Sequence, residues 1–360
     1  MQRSGQLVQI NYGKNPNTLS THTKTTNKKN RSSIIKWLIL LLMLFAALYF
    51  YRDSLHEIFE GVKALSAKTI CVTFLFSFVY FITEGLIITI MAKPFSASFH
   101  FYNGISTAYI CEFYRLLTLG SGAGIAELYY LQKGGVSYPN GIGISMLQFV
   151  MKKIGIMTFG VIGFFFLLQH PVTKEVLHSY YGAMAGGCVV TILIVAALLI
   201  VTLSDAVKNL FLRILERIGN KFVKYQEKLE KLSENLILLN AAGKEVLTHK
   251  LRFLVIILLN LFKFFAIYAI PAYVLIGQCT LSVTEGIMLM AISYMLAGVL
   301  PAPSGIGSLE FVFLLFFTRF AKESTAVPAI LVFRLMIWIV PFAIGGILSL
   351  FHASPAKKSV

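Results

Sequence analysis

Over most of this chain hydrophobic positions neither alternate nor recur at a helical interval; they form long unbroken runs. Residues 34–51, 69–92, 142–168, 181–203, 252–277 and 327–351 are apolar stretches that reach or approach the roughly 20 residues a helix needs to cross a bilayer. The mean hydropathy of +0.75 agrees with that reading. The pattern predicts an all-α polytopic membrane protein with about six full spans. Two further apolar segments, 96–138 and 283–320, are broken in the middle. The first carries Gly104, Gly120, Gly122 and Gly124; the second carries PAPSGIG at 301–307.

Charge orients the spans. Only 13% of residues are charged, while the net charge is +16. The basic residues collect outside the apolar stretches, which points to membrane topology and anionic lipid rather than to nucleic acid. Arg3, Lys14, Lys24, Lys28, Lys29, Arg31 and Lys36 precede the first span, and Lys357 and Lys358 close the chain. The loop from 204 to 251 is also basic. All three belong on the cytoplasmic side of a cell membrane. Residues 1–33 are polar and without periodicity, which predicts a disordered tail; they do not resemble a cleaved signal peptide. The four cysteines have no metal-ligand or disulfide spacing, so neither a metal nor another cofactor is expected.

These placements agree with the crossings only if segments 96–138 and 283–320 enter and leave on one side, the first from the cytoplasm and the second from outside. The expected organisation is therefore a tail (1–33), a first membrane half (34–203) with a re-entrant half-helix pair at 96–138, a cytoplasmic amphipathic segment (204–251), a second half (252–351) with a re-entrant pair at 283–320, and a short cytoplasmic tail (352–360). Gly122-Ala-Gly124-Ile-Ala-Glu127 and Gly305-Ile-Gly307-Ser-Leu-Glu310 share G-x-G-x-x-E, 183 residues apart. The chain's own composition predicts roughly 0.08 such matches by chance, so a repeat is the better account. The same offset superimposes 69–92 on 252–275 and 142–168 on 325–351. Opposite orientations make this an inverted repeat of the kind transporters use.

Irregular backbone in hydrocarbon survives only beside protein or a wet cavity. Pro301 and Pro303 end one half-helix, and Gly305 and Gly307 allow a turn. Ser308 is positioned to cap the next half-helix, with Glu310 in its first turn, where the dipole favours an acid. A tight turn between packed helices is the plainer alternative for either break. Charges within the apolar segments are Glu84, Glu112, Arg115, Glu127, Lys152, Lys153, Lys263, Glu310, Arg319 and Arg334. They should face a cavity or one another. Lys152 follows Glu127 by 25 residues and Arg334 follows Glu310 by 24, a spacing that sets a base opposite each acid, as a substrate contact or as a structural ion pair. Residues 205–240 carry apolar positions at helical spacing among Lys, Arg and Glu, which predicts one or two amphipathic helices on the membrane surface. No H-E-x-x-H, G-x-S-x-G or Walker A pattern is present, and no catalytic residue is assigned.

"LTLGSGAGIAELYYLQKGGVS" at 117–137 and "LPAPSGIGSLE" at 300–310 resemble the two signatures of the lysylphosphatidylglycerol synthase/flippase membrane region. Leu119 stands in place of a proline, and Ala123 and Ser304 in place of frequent glycines. The resemblance implies a membrane region that translocates lipid. In longer relatives this region is joined to a soluble aminoacyltransferase domain, which is not expected here, with the chain ending nine residues after position 351. It carries Gly122, Gly124 and Glu127 onto the first motif and Pro301, Pro303, Gly305, Gly307 and Glu310 onto the second. The expected function is translocation of a polar-headed phospholipid, anionic or aminoacylated, with Lys152 and Arg334 on its phosphate. The alternatives are the membrane component of a phosphatidylglycerol lysyltransferase or of polyprenyl-linked glycosyl transfer, and a scaffold for a separately encoded synthase. Protein partners under these readings are such a synthase or a second copy of the chain.

Overall fold

The computed structural model describes residues 63, 65–118, 120–221, 226–300 and 307–353. The expected first span (34–51), the tail 1–33, and Pro301, Pro303 and Gly305 lie outside the described residues. Among the described residues there is no β-strand, and five helices are long and apolar enough to cross a membrane. The protein is a multi-pass, all-α membrane protein.

Helix α1 (Ala67–Ala92) starts where the Ser66 hydroxyl accepts a hydrogen bond from the Thr69 amide at 3.1 Å. Helices α2 (Phe101–Leu117) and α3 (Gly122–Lys133) occupy the first interrupted segment. Helix α4 (Tyr138–Gln169) comes next, begun by a proline in its first turn, then the short α5 (Pro171–Val176) and α6 (Tyr181–Leu203). Helices α7 (Asp205–Lys221) and α8 (Gln226–Thr248) lead to α9 (Lys250–Val274). The second interrupted segment gives α10 (Val283–Ala297) and α11 (Ser308–Phe317). Helix α12 (Glu323–Arg334) then passes through a π-helical turn (Leu335–Ile339) into α13 (Val340–Ala353).

Two properties of the fold place the interrupted segments. First, each is a hairpin whose ends are tied together. The Ser96 hydroxyl, before α2, donates to the Gly134 carbonyl, after α3, at 2.9 Å. Thr280 N, before α10, donates to the Phe320 carbonyl, after α11, at 3.1 Å, beside a bridge between Cys279 and Ala321. Second, the packing is reciprocal between the halves. Helix α1 lies on α9, while α4 packs against α10 and α13 packs against α2. Glycines allow the last two contacts: a side chain at Gly163 would meet the Met288 carbonyl, and one at Gly345 the Tyr109 carbonyl. The first half of α9 buries one side only, whereas residues 266–272 are buried all round. On α9, Ile256, Phe264, Ile267 and Tyr268 are buried while Leu254, Leu258, Phe262 and Phe265 are exposed, as a helix facing lipid requires.

Candidate functional site

The two breaks are built differently. In the first, the chain leaves α2 at Leu117 and restarts at Gly122. The Thr118 hydroxyl donates to the Tyr114 carbonyl at 2.7 Å and accepts from the Gly122 amide at 2.6 Å. One side chain thus ties the two helix ends together; the Gly122 amide would otherwise be orphaned, while the Tyr114 carbonyl also accepts the Thr118 amide at 3.1 Å. Gly120 has φ 107°, a conformation glycine adopts without strain. A Cβ at Gly122 would fall 2.6 Å from the Thr118 hydroxyl, whereas Gly124 faces open space.

In the second break Gly307, at φ 82°, is the residue that precedes α11. Ser308, expected as the cap, is instead the first helical residue. The capping function falls to Glu310, whose Oε2 accepts from the Gly307 amide at 3.0 Å. Placing glycine at the left-handed position leaves no side chain there to cap, so the acid three residues on reaches back.

Glu310 has a second partner. Arg334 donates from Nε to Glu310 Oε1 and from Nη2 to Oε2 at 2.7 Å, the two-pronged geometry a guanidinium offers a carboxylate. The Arg334 guanidinium also lies over the Trp338 ring, 3.8 Å from its centroid. Trp338 belongs to the π-helical turn, a distortion often found at functional sites. The Ser77 hydroxyl of α1 donates to the Met336 carbonyl within that turn. The pairing anticipated from the 24-residue spacing is therefore present, and the π-helical turn comes directly after it.

The other anticipated pair is not formed. Lys152 contacts Glu84 of α1, not Glu127. Gln148 and Lys152 are four residues apart on α4, hence on one face, and that face meets α1 and α9. There Gln148 Nε2 donates to Glu84 Oε1 at 2.7 Å and Lys263 Nζ to Oε2 at 2.5 Å. Glu84 is thereby the centre of a buried polar cluster joining three helices, with Lys263 fully buried. Glu127 Oε1 is buried, and no described residue donates a hydrogen bond to it. Glu84 and Lys263 stood out in the sequence as charges inside apolar stretches, but nothing in their spacing linked them to each other or to Lys152.

A cleft of about 230 Å³ opens beside the second break. Glu112, Arg115, Lys153, Ser308, Arg334 and Trp338 are among its lining residues. Arg115 pairs with Glu112, one turn away on α2, at 2.9 Å. Lys153 has no carboxylate within ion-pair distance among the described residues. Its ammonium lies 5.6 Å from the centre of the Phe149 ring. Of the sequence-predicted residues, Arg334 lines this cleft and Glu310 and Gly307 support it. Gly122, Gly124, Glu127 and Lys152 are not part of its lining. Arg115 and Lys153 were visible only as charges within apolar segments, with no partner or site assigned to them.

The described residues hold no cluster of three or more metal-ligating side chains. No curated protein matches the chain. A family model described as the lysylphosphatidylglycerol synthase TM region matches residues 33–345, a range that contains both interrupted hairpins, the Glu310–Arg334 pair and the cleft. Since that match covers nearly all of its 360 residues, the chain belongs to the family of the lysylphosphatidylglycerol synthase TM region.

Proposed function

We propose that the protein is a lipid translocase, carrying the headgroup of a polar phospholipid between leaflets of a cell membrane along the cleft beside the second break. The observation that carries this reading is the cleft itself. It sets Arg115, Lys153 and Arg334 next to an interrupted helix and at the same time borders apolar side chains such as Ile194 and Ile337. A charged headgroup needs such groups inside a membrane and its acyl chains need none. The reciprocal packing of the halves supports an inverted repeat, in which the α2–α3 hairpin opens from the cytoplasm and the α10–α11 hairpin from outside. In that arrangement the route could open to either side in turn.

The test is leaflet accessibility of a fluorescent phospholipid in proteoliposomes. With the protein present, the inner-leaflet pool should become accessible faster than in empty vesicles. Arg334→Ala removes the guanidinium from the cleft and frees Glu310, so it should abolish the acceleration while the protein still purifies as a folded species. Transport at the unmodified rate in this variant would reject the assignment of the cleft. No acceleration with any phospholipid, together with co-purification of a lipid-modifying enzyme, would favour the scaffold reading instead.

A further inference from the structure

Of the two matched acids, Glu310 has its charge met and Glu127 does not. Glu310 is the third residue of α11 and reaches back to the Gly307 amide. Helix α3 already starts at Gly122, so Glu127 is its sixth residue and lies beyond the free amides of the first turn. Its Oε1 is buried, and no described residue donates to it; the Ser145 hydroxyl of α4, which lies beside it, is likewise buried without a hydrogen bond. A buried carboxylate without a donor is costly, and a carboxylic acid much less so. The titratable and polar groups that face Glu127 are Cys111 and Arg115 on α2, Glu84 on α1, and Ser145 and Lys152 on α4, with Arg115 itself held by Glu112.

Lys152 is the cation among them that is able to change partners. Ser145, Gln148 and Lys152 follow one another at intervals of three and four residues along α4, so they form one stripe. The stripe meets Glu84 through Gln148 and Lys152, and Glu127 lies beside its Ser145 end. The Lys152 side chain is 27% exposed, whereas that of Lys263, the other lysine on Glu84, is 0% exposed and fixed in place. If Lys152 leaves, Glu84 still has Lys263 and Gln148.

We propose that Glu127 is a proton-exchange site, that its proton decides which acid Lys152 serves, and that this exchange is the driven step of the protein's cycle. With Glu127 protonated, Lys152 stays on Glu84, as in this structure. The proton leaves to water through the open space beside Gly124, one turn earlier on α3. The carboxylate left behind then draws Lys152 across. No charge is stranded, because the ammonium keeps its own protons and each carboxylate retains a cation. The first half then holds the kind of acid–base pair that Glu310 and Arg334 hold in the second. Proton exchange stands on the geometry of the first break; that it drives lipid across the membrane rests on the translocase reading.

Dicyclohexylcarbodiimide detects such a site. It adds to a protonated carboxyl in an apolar setting and leaves a stable N-acylurea, whereas a carboxylate held by cations is spared. The full chain in neutral detergent is treated over a series of pH values, and the modified residues are located by mass spectrometry. Glu127 should be modified, increasingly as pH falls, and Glu84 and Glu310 should not. Lys152→Gln removes the cation that favours the carboxylate. At a pH where the parent is weakly labelled, Glu127 in this variant should therefore be labelled about tenfold more, the effect of one opposite charge. Lys152→Arg should keep the parent's profile. The parent's labelling pattern stands as a test even if Lys152→Gln does not fold. An unmodified Glu127 overturns the proposal, as does labelling that is the same in the parent and Lys152→Gln at every pH. In proteoliposomes an imposed pH gradient should change the rate of lipid movement, and Glu127→Gln, which exchanges no proton, should erase that response. Lipid movement in the parent that is indifferent to the gradient also overturns the proposal and leaves the translocase reading intact. If labelling follows the expected course but no lipid moves, proton exchange at Glu127 stands and the translocase reading falls.

Discussion

Glu127 and Glu310 occupy the same place in two copies of one motif, yet only Glu310 is engaged on both of its oxygens, by the Gly307 amide and by Arg334. The motif was legible because G-x-G-x-x-E is rare in this composition. The partners were not, because a helix rotated by one residue turns its side chain through about 100°, and three packed helices decide which acid a lysine meets. That is why Lys152 sits on Glu84. Two glycine substitutions separate structural from functional roles within the motif. Gly307→Ala forces a left-handed backbone on an L residue, at a cost of about 1–2 kcal/mol, and the thermal midpoint should fall. Gly124→Ala meets nothing within 4 Å and should leave the midpoint unchanged or slightly raised, as helix propensity favours alanine. A clear drop for Gly124→Ala would mean that the first break is packed more tightly than this structure has it. Glu84→Ala leaves Lys152 and Lys263 facing one another without a counter-charge, and should destabilise the protein by about 3–5 kcal/mol, read as a lower unfolding midpoint in detergent.

Helices α7 and α8 show what an amphipathic pattern can and cannot specify. The periodicity over 205–240 announced helices with one apolar face, and both helices are there. The expectation laid that face on the membrane surface, and the packing is different. Helix α8 packs on α4 and α6, not on lipid alone, with Leu239 and Ala242 buried. The contact is close because Gly143 and Gly243 are small: a Cβ at Gly143 would lie 2.6 Å from the Leu238 carbonyl. A polar tie fixes the start of the pair. Asp205 accepts from Lys244 at 2.5 Å and from Lys208 at 2.9 Å, Lys208 also reaches Asn240, and Asn240 donates to the Thr202 carbonyl. Hydrogen bonds from Lys244 and then Lys208 hold the Asp205 carboxyl below the ordinary aspartate range. A depressed acid contributes its tie fully above the unfolded value and loses it as pH falls through the lower folded value. Amide protection around Asn240, measured against the intrinsic exchange rate at each pH, should therefore be unchanged from neutral pH down to the ordinary aspartate range and fall only below it. Asp205→Asn should lower the protection already at neutral pH, and high salt should weaken the tie because Asp205 and Lys244 are exposed. Protection lost near pH 6 instead would point to a different group.

At the scale of the molecule, five of the six expected spans are helices, and the sixth, 34–51, lies outside the described residues. Hydropathy finds spans because hydrocarbon leaves the backbone no alternative to a helix of that length. It cannot say which helix lies on which, since lipid and neighbouring helix are equally apolar; that choice rests on glycines such as Gly163 and Gly345, whose role shows only once the carbonyls they approach are known. The arrangement of the halves makes one strong demand. If the hairpins are inverted copies, the loop before α2 and the loop before α10 lie on opposite sides of the membrane. Ala97 and Gln278 are exposed in those two loops, and each loop is held to the far end of its own hairpin by the Ser96–Gly134 and Thr280–Phe320 hydrogen bonds. In a variant without the four native cysteines, Ala97→Cys should react with a membrane-impermeant maleimide only in inside-out vesicles, and Gln278→Cys only in right-side-out cells. Each hairpin's far end supplies an internal control. Lys133→Cys should label with Ala97→Cys, and Lys322→Cys with Gln278→Cys, because each hairpin enters and leaves at one surface. If Ala97→Cys and Gln278→Cys react from the same side, the halves are parallel copies, and no exchange between them could open the cleft first to one leaflet and then to the other.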